Sequence, residues 1–484
     1  MWGINLKYYS QFLGKNERNK VYLRKNSSEG RKIADSKLKT KRLLDKGGVG
    51  VPRLLARFKS WKGVEEFDWT QLTGNFVVKP ATGYGGEGII VIRRGKQDKD
   101  SQNMVWQKMD GVAVETEEIK RHCGEIISGR YSMHGIEDEV LIEERIKIHP
   151  MFLNYTRWGT PDVRVIVYEG VPVMAMLRIP TERSRGKSNL QQGAVGLGID
   201  LATGITTFGV EGKSSVVETI WDRKKKKLIK VNGIKIPSWR EVLETAVKSQ
   251  KVIHQLGFMG IDIVLDKDKG PVVLEVNARP GLSIQICNRA GLKQRINKVD
   301  GLEVRSVNHA IMVSKYLFGE SFFEKVEEKS GVKTIQPLEV IGVKIPKGFK
   351  PELTKSSVTK IGKNRVVEVR AKVDTGAYRS SIDEKLALKL GLLIDEKVLY
   401  YRHYRSSLGK AINRPVVAVT FWLKGRKVTT AVNVANRDKL RTKILLGRKD
   451  LEGFLVSAVK EVKKVENSKM IVKRKKLKVK IKNN

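Results

Sequence analysis

The 484-residue chain carries 94 Lys and Arg against 52 Asp and Glu, a formal net charge of +42, and 40% of it is hydrophobic. This excludes a disordered chain, allows two to four domains, and favours anionic partners such as nucleic acid, an acidic membrane or an acidic peptide. Only Cys123 and Cys287 are present, with no Cys-x-x-Cys or His-Glu-x-x-His pattern, which argues against a disulfide framework, a zinc ribbon or a zincin-type peptidase. His122 beside Cys123 lacks companions for a metal set. With no run of about 18 apolar residues and no apolar signal-peptide core, no membrane span is expected and the default location is cytoplasmic.

Residues 1–34 read as a basic, partly aromatic lead-in too short for a domain. From Asp35, "DSKLKTKRLLDKGG" has Leu38, Leu43 and Leu44 near helical spacing and a Gly-Gly stop, which predicts a helix. "NFVVKP" (75–80) and "GIIVIRR" (88–94) predict strands around a glycine-rich loop. "EVLIEERI" (139–146), "PDVRVIVYEG" (161–170) and "VPVMAMLRIP" (171–180) predict further strands. "SWREVLETAVKSQKVIHQLG" (238–257) predicts an amphipathic helix with Ser238 as N-cap and Gly257 as C-cap. "GIDIVLDKDKGPVVLEVNARPG" (260–281) predicts a hairpin turning at Lys267–Gly270. A charged stretch around 322–337 reads as a linker. Beyond it, short strands and turns give an all-β texture before a basic tail. The expected domains are therefore 35–325 and 338–460, with a linker at 326–337 and a tail at 461–484.

In the glycine-rich loop, Gly83, Gly85, Gly86 and Gly88 let backbone N–H groups approach an anion, and Lys79 supplies a point charge for phosphate. No Walker-type GxxxxGK[ST] is present, and an ordinary hairpin turn is the competing reading. Asp262 lies on one hairpin arm, with Glu275 and Asn277 on one face of the other. Those three oxygen donors, set among apolar residues, suit Mg²⁺ shared with nucleotide phosphates better than a solvated hairpin. Glu143 and Glu144 end a strand, where a carboxylate can take a ribose hydroxyl. Arg178 and Asn189 are placed to face a transferring phosphoryl group.

Together, "DSKLKTKRLL", "KPATGYGGEGIIVI", "VLIEERI", "DVRVIVYEGVPVMAMLRIPT", "NLQQGAVGLGIDLATG" and "GIDIVLDKDKGPVVLEVNARPGLSIQ" resemble the ATP-grasp fold, in particular the alpha-L-glutamate ligase-related (RimK-like) proteins, over about residues 20–320. The resemblance implies an α+β ATP-grasp domain using ATP and Mg²⁺, with Mn²⁺ as a substitute. Lys37 and Lys79 would sit on the phosphates with Gly85, Gly86 and Gly88. Glu143, Glu144 and Ile146 would lie at the hinge and ribose, and Arg178 and Asn189 at the γ-phosphate. Asp262, Glu275 and Asn277 would hold the metal, and Asp162 and Arg164 would border the acceptor pocket. Gln191 stands where the family often has His, and the usual domain preceding the ATP-grasp is reduced to the lead-in. The implied reaction is carboxylate–amine ligation through an acyl phosphate, with glutamate or another small amino acid as amine donor and an unidentified acceptor.

The later stretch "AKVDTGAYRSSID" (371–383) sets Asp374-Thr375-Gly376 after a β-branched strand. An apolar-apolar-Gly follows in "KILLGRKDLEGFLV" (443–456). With "RSSLGKAINRPVV" these resemble a one-lobe retropepsin, specifically the RimB-like peptidases, which implies an all-β, retropepsin-like acid-protease barrel lobe. One Asp-Thr-Gly supplies one carboxylate of a dyad, so activity requires a homodimer through this domain. No zinc site is apparent. Two alternatives stand beside the ligase–peptidase reading: a ligase whose C-terminal domain only dimerises or binds peptide, and a basic nucleic-acid- or ribosome-binding protein.

Overall fold

The computed structural model describes residues 10–82, 86–97, 104–108, 111–132, 135–156, 159–212, 215–319, 333–349, 361–362, 365–394, 397–405 and 411–457. The chain divides into two compact units: Met1–Phe322 with Leu393–Ala418 and Thr429–Ala431, and Phe323–Leu392 with Val419–Val428 and Val432–Asn484.

In the first unit the lead-in is part of the core. Helices Lys15–Lys20 and Ser28–Ala34 flank a 3₁₀ turn at Tyr22–Lys25, and Leu13, Tyr22 and Ile33 are buried among the main hydrophobic cluster. The Asn26 amide fastens this segment to a central strand. Its Nδ2 donates to the carbonyls of Phe258 (2.7 Å) and Ala278 (3.0 Å), and its Oδ1 accepts from Phe258 N–H (2.8 Å). Helix Lys37–Lys46 follows, capped by Ser36 Oγ on Lys39 N–H (3.3 Å) and stopped at Gly47, as capping chemistry expects.

Two sheets carry the unit. The first orders its strands Leu54–Phe58, Val140–Glu144, Phe76–Pro80, Ile90–Gln97, Met104–Lys108 and Ala113–Val114. Helix Thr116–Ile127 buries Ile119, Cys123 and Ile126 in the same cluster as Phe76, Ile92 and Trp106 of that sheet. The second orders Ser215–Val217, Thr206–Glu211, Val195–Ile199, Val171–Ile179, Asp162–Tyr168, Phe258–Asp266 and Gly270–Asn277. Strands Val171–Ile179 and Phe258–Asp266 are buried at every position, which explains their near-continuous apolar sequence. Helix Trp239–Val252 forms where periodicity places it, but its ends differ from expectation. Ser238 takes a left-handed conformation (φ +46°) with no side-chain cap, and the helix stops at Val252. Gly257 lies five residues further on, where a Cβ would come within 2.9 Å of Lys25; close packing against the lead-in, not capping, is what requires glycine there.

In the second unit, strands Leu338–Lys344, Val366–Asp374, Ile444–Gly447 and Ser381–Asp383 adjoin the last residues of Arg426–Ala435 and Ala411–Leu423. Gly342 and Val343 pair with Trp422 and Phe421, closing the ring into an all-β barrel. Two short helices, Glu384–Lys389 and Arg448–Leu451, interrupt the β texture. Lys333–Ile335, at the end of the expected linker, is a strand parallel to Phe454–Val456. The expected second domain is not one continuous stretch: Leu399, Val416 and Ala418 belong to the first unit's core. The rest of the linker up to residue 332 and the tail 461–484 lie outside the described residues.

Candidate active site

Antiparallel pairing of Phe76–Pro80 with Val140–Glu144 sets Lys79 opposite Leu141 and Val77 opposite Glu143. Lys79 and Glu143 are thus diagonal neighbours on one face, within reach of long side chains. The Lys79 ammonium lies 2.6 Å from Glu143 Oε2. A second ammonium, from Lys41, donates to both Glu143 oxygens at 2.6 and 2.5 Å. All three side chains are less than a tenth exposed. Burial alone would raise the Glu143 carboxyl, but Lys79 and Lys41 hold it below its usual range. Lys41 was not singled out from sequence. It stands four residues after Lys37, one helical turn along the same face.

Burial pushes the Lys37 ammonium below its ordinary value. The charges of Glu275, Asp138 and Glu143 oppose that shift, and Lys79 adds to it. Glu144, one residue along, points to the opposite face; it accepts from Arg53 N–H (2.8 Å) and pairs with Lys269. Ile146 is half-buried just past the strand end.

Gly85, like Gly83, lies outside the described residues. Gly86 and Gly88 take φ +77° and +69°, and a Cβ on Gly88 would meet the Tyr131 ring at 2.7 Å. Asp138 anchors the loop's start by accepting from Thr82 N–H (3.0 Å), and His122 Nε2 is bonded to the Gly88 carbonyl (2.9 Å). Glu87 pairs with Lys187. Neither Asp138 nor Lys187 was expected from sequence.

On the second sheet the register aligns Glu275, Asp262 and Arg164 in one row and Asp162 with Arg178 in the next. Arg164 grips Asp262 with two bonds of 2.7 Å. Arg178 grips Asp162 at 2.6 and 2.7 Å and reaches Asp262 at 2.9 Å. Such bidentate pairs are the strong kind. Burial raises the Asp162 carboxyl above the usual range despite Arg178. Burial opposes ionisation of Asp262 too, but Arg164 and Arg178 outweigh it and lower its pKa. Asn277 Nδ2 donates to Asp262 (3.2 Å), which leaves its amide oxygen available. Among the described residues no three His, Cys, Asp or Glu side chains cluster as a metal set. Register sets Glu275 directly opposite Asp262, and Asn277 two residues further along the same face. Asn189 caps the turn Leu190–Gln192, its Oδ1 accepting from Gln191 N–H (3.0 Å); that bond alone accounts for an asparagine at this position.

In the second unit Asp374 ends its strand in parallel register with Gly447. Its Oδ1 accepts from the N–H groups of Gly376 (3.0 Å) and Ala377 (3.2 Å). Thr375 and Gly376 are exposed. Ser380 Oγ accepts from Gly447 N–H (3.0 Å) and donates to Asp450. A Cβ on Gly447 would come within 2.4 Å of the Arg379 backbone. The Asp-Thr-Gly turn and the apolar-apolar-Gly strand are thus locked side by side.

A two-sheet unit with a glycine-rich loop, a lysine-ringed carboxylate and an acidic hairpin defines an ATP-grasp protein. Residues 16–301, more than half of the chain, match the sugar-transfer associated ATP-grasp family, and the chain belongs to it. It is also similar to a probable alpha-L-glutamate ligase of Halorhodospira halophila (strain DSM 244 / SL1), 26% identical over 257 residues, covering 53% of this chain and 59% of that protein. Solved structures it resembles include the ATP-grasp ligase PsnB with a minimal precursor (16% identity, 56% of this chain and 61% of that chain, TM-score 0.30). Another is the D-alanine-D-alanine ligase of Coxiella burnetii (13% identity, 57% and 58%, TM-score 0.31).

Proposed function

We propose that the first unit is an ATP-dependent carboxylate–amine ligase that adds an amino acid, glutamate in the first instance, to an acceptor carboxylate. The observation that carries this is the pair of buried lysines, Lys41 and Lys79, both held within 2.6 Å of buried Glu143 on the strands that border the glycine-rich loop. Lys37, Lys41 and Lys79 bind the triphosphate, with Glu143 fixing the two lysines it pairs. The backbone at Gly86 and Gly88 closes over the phosphates. Asp262, Glu275 and Asn277 would hold Mg²⁺, which when bound offsets charge on the phosphoryl oxygens. Arg178, fixed by Asp162, directs a guanidinium to the same region. An acceptor carboxylate oxygen attacks the γ-phosphorus, the bond to the β-phosphate oxygen breaks, and ADP leaves. The amine nitrogen then attacks the acyl carbon, releases phosphate and gives its proton to solvent.

Hydroxylamine traps an acyl phosphate as a hydroxamate. Wild type with Mg-ATP and a carboxylate acceptor should form ADP and hydroxamate together, and ligated product when glutamate replaces hydroxylamine. ADP release that no carboxylate stimulates refutes the ligase reading.

A second reading concerns the barrel, and the Asp374–Gly447 juxtaposition favours it. Asp374 serves as one carboxylate of an aspartic peptidase dyad, with a second copy of the chain supplying the other. This activity would trim the ligated peptide. Asp374→Asn should then lengthen the products seen by mass spectrometry. Identical products in mutant and wild type leave the barrel a binding or dimerising module.

A further inference from the structure

The segment Thr219–Lys230 is a two-stranded hairpin, Thr219–Asp222 against Lys227–Lys230, that joins neither large sheet. Its faces differ sharply. Ile220 and Ile229 pair with each other and pack on the unit's main core. Strand alternation turns their neighbours outward, where Trp221 and Leu228 pair across the strands at 53% and 61% exposure. An isolated two-stranded hairpin is marginal in water, but this one is braced. Buried Asp222 accepts from Lys225 N–H (2.9 Å). Arg223 N–H donates to the Asn154 carbonyl (2.8 Å), next to Leu153, itself 46% exposed.

The connecting turn is all cationic. Arg223, Lys224, Lys225, Lys226 and Lys227 are consecutive and exposed, and the hairpin's sole acid, Asp222, is buried beneath them. A fixed Trp–Leu pair beside five cations has the composition of an element that lies in a bilayer interface. Single-stranded nucleic acid would call for stacking platforms; here one aromatic ring is accompanied by two leucines, which offer no π face.

We propose that this hairpin anchors the protein to anionic membrane surfaces. Trp221 and Leu228 enter the boundary between headgroups and acyl chains, and residues 223–227 engage the lipid phosphates. The attachment is peripheral: no helix of the described residues is long and apolar enough to cross a membrane.

The test is co-sedimentation of the full chain with phosphatidylcholine vesicles, with and without about one-third phosphatidylglycerol, at low and high salt. Wild type should bind the anionic vesicles and keep a salt-resistant fraction. Lys224→Gln with Lys227→Gln should weaken partitioning on the order of thirty-fold, from about 1 kcal/mol per lysine. Trp221→Ser with Leu228→Ser should abolish the salt-resistant fraction while unfolding temperature and ATP binding stay unchanged. If both double variants sediment like wild type, the general positive charge is responsible and the proposal fails. It fails equally if wild type ignores the vesicles, or if homopolymeric RNA is what binds and Trp221→Ser with Leu228→Ser removes that binding.

Discussion

Lys41→Met tests the lysine-ringed carboxylate most directly. Glu143 is 4% exposed and takes an ammonium from each of Lys41 and Lys79, both within 2.6 Å. At an effective dielectric of about 20, one such contact is worth about 6 kcal/mol of gross attraction. Against this stands the cost of desolvating Lys41, several kcal/mol, which the apolar side chain does not incur. Breaking a buried pair costs about 3–5 kcal/mol when the remaining charge is orphaned. Lys79 still faces Glu143, so no charge is orphaned, and burial and the Lys79 charge already push the Lys41 ammonium well below its ordinary value; the expected loss lies below that range, about 1–2 kcal/mol. Equilibrium urea unfolding measures it, and adding Glu143→Gln should destabilise further, because the buried Lys79 is then the orphaned charge. The KM for ATP should rise in the single mutant, since Glu143 then draws Lys79 away from phosphate. A loss under about 0.5 kcal/mol with unchanged KM, the range of an ordinary surface substitution, would refute the argument.

Gly88→Ala forces a side chain into a left-handed position against the Tyr131 ring; it should cost about 1–2 kcal/mol in thermal unfolding and raise the KM for ATP. Glu275→Gln removes one of two carboxylates from the proposed donor set and should raise the Mg²⁺ concentration for half-maximal ADP release by about tenfold or more, read from a metal titration. Gly447→Ala drives a Cβ into the Arg379 backbone and should destabilise the barrel by about 3 kcal/mol, read by hydrogen exchange at strand Val366–Asp374. The acid response has two signs. Asp162, raised in the fold, costs stability when ionised, so acidification from neutral first stabilises as it takes its proton. Glu143, lowered in the fold, contributes stability above about pH 4.3 that is lost as the pH falls through its folded value. The free energy of unfolding across pH 3 to 7 should therefore peak between these two events, and Asp162→Asn should remove the gain on the acid side of neutral.

The glycine loop, the acidic hairpin and the Asp-Thr-Gly strand were legible because each is a local pattern: positive-φ glycines, alternating donors, a β-branched run before a turn. The helix ends were less so. Ser238 has the chemistry of a cap, yet its backbone is left-handed and its hydroxyl caps nothing. Gly257 looks like a helix stop and is instead a close approach to Lys25. That contact joins segments more than two hundred residues apart, and no local pattern encodes it. The barrel's expected boundary failed for the same reason: 393–418 has strand texture like its neighbours, and only its packing with the first unit's core distinguishes it.

Lys41 shows what a stricter reading of spacing would have found. In "SKLKTKRLL" the lysines fall at 37, 39 and 41. Positions 37 and 41 share a helix face, while 39 turns away. Leu38 is buried on the first sheet with Ala81 and Leu141, so the face beside it must also meet that sheet. A lysine on that face has to find a carboxylate or lose its charge. Only one acid in "VLIEERI" lies on the inward side once Leu141 is inside, because alternation makes Glu143 its companion and sends Glu144 out. The Lys41–Glu143 contact therefore follows from two periodicities, 3.6 and 2, applied to the same pair of elements. The same reasoning separates the two adjacent glutamates: Glu143 answers to the lysines, and Glu144 to Arg53 and Lys269 on the opposite face. Replacing Glu144 should then leave the Lys41 and Lys79 contacts intact, whereas replacing Glu143 releases both ammonium groups at once.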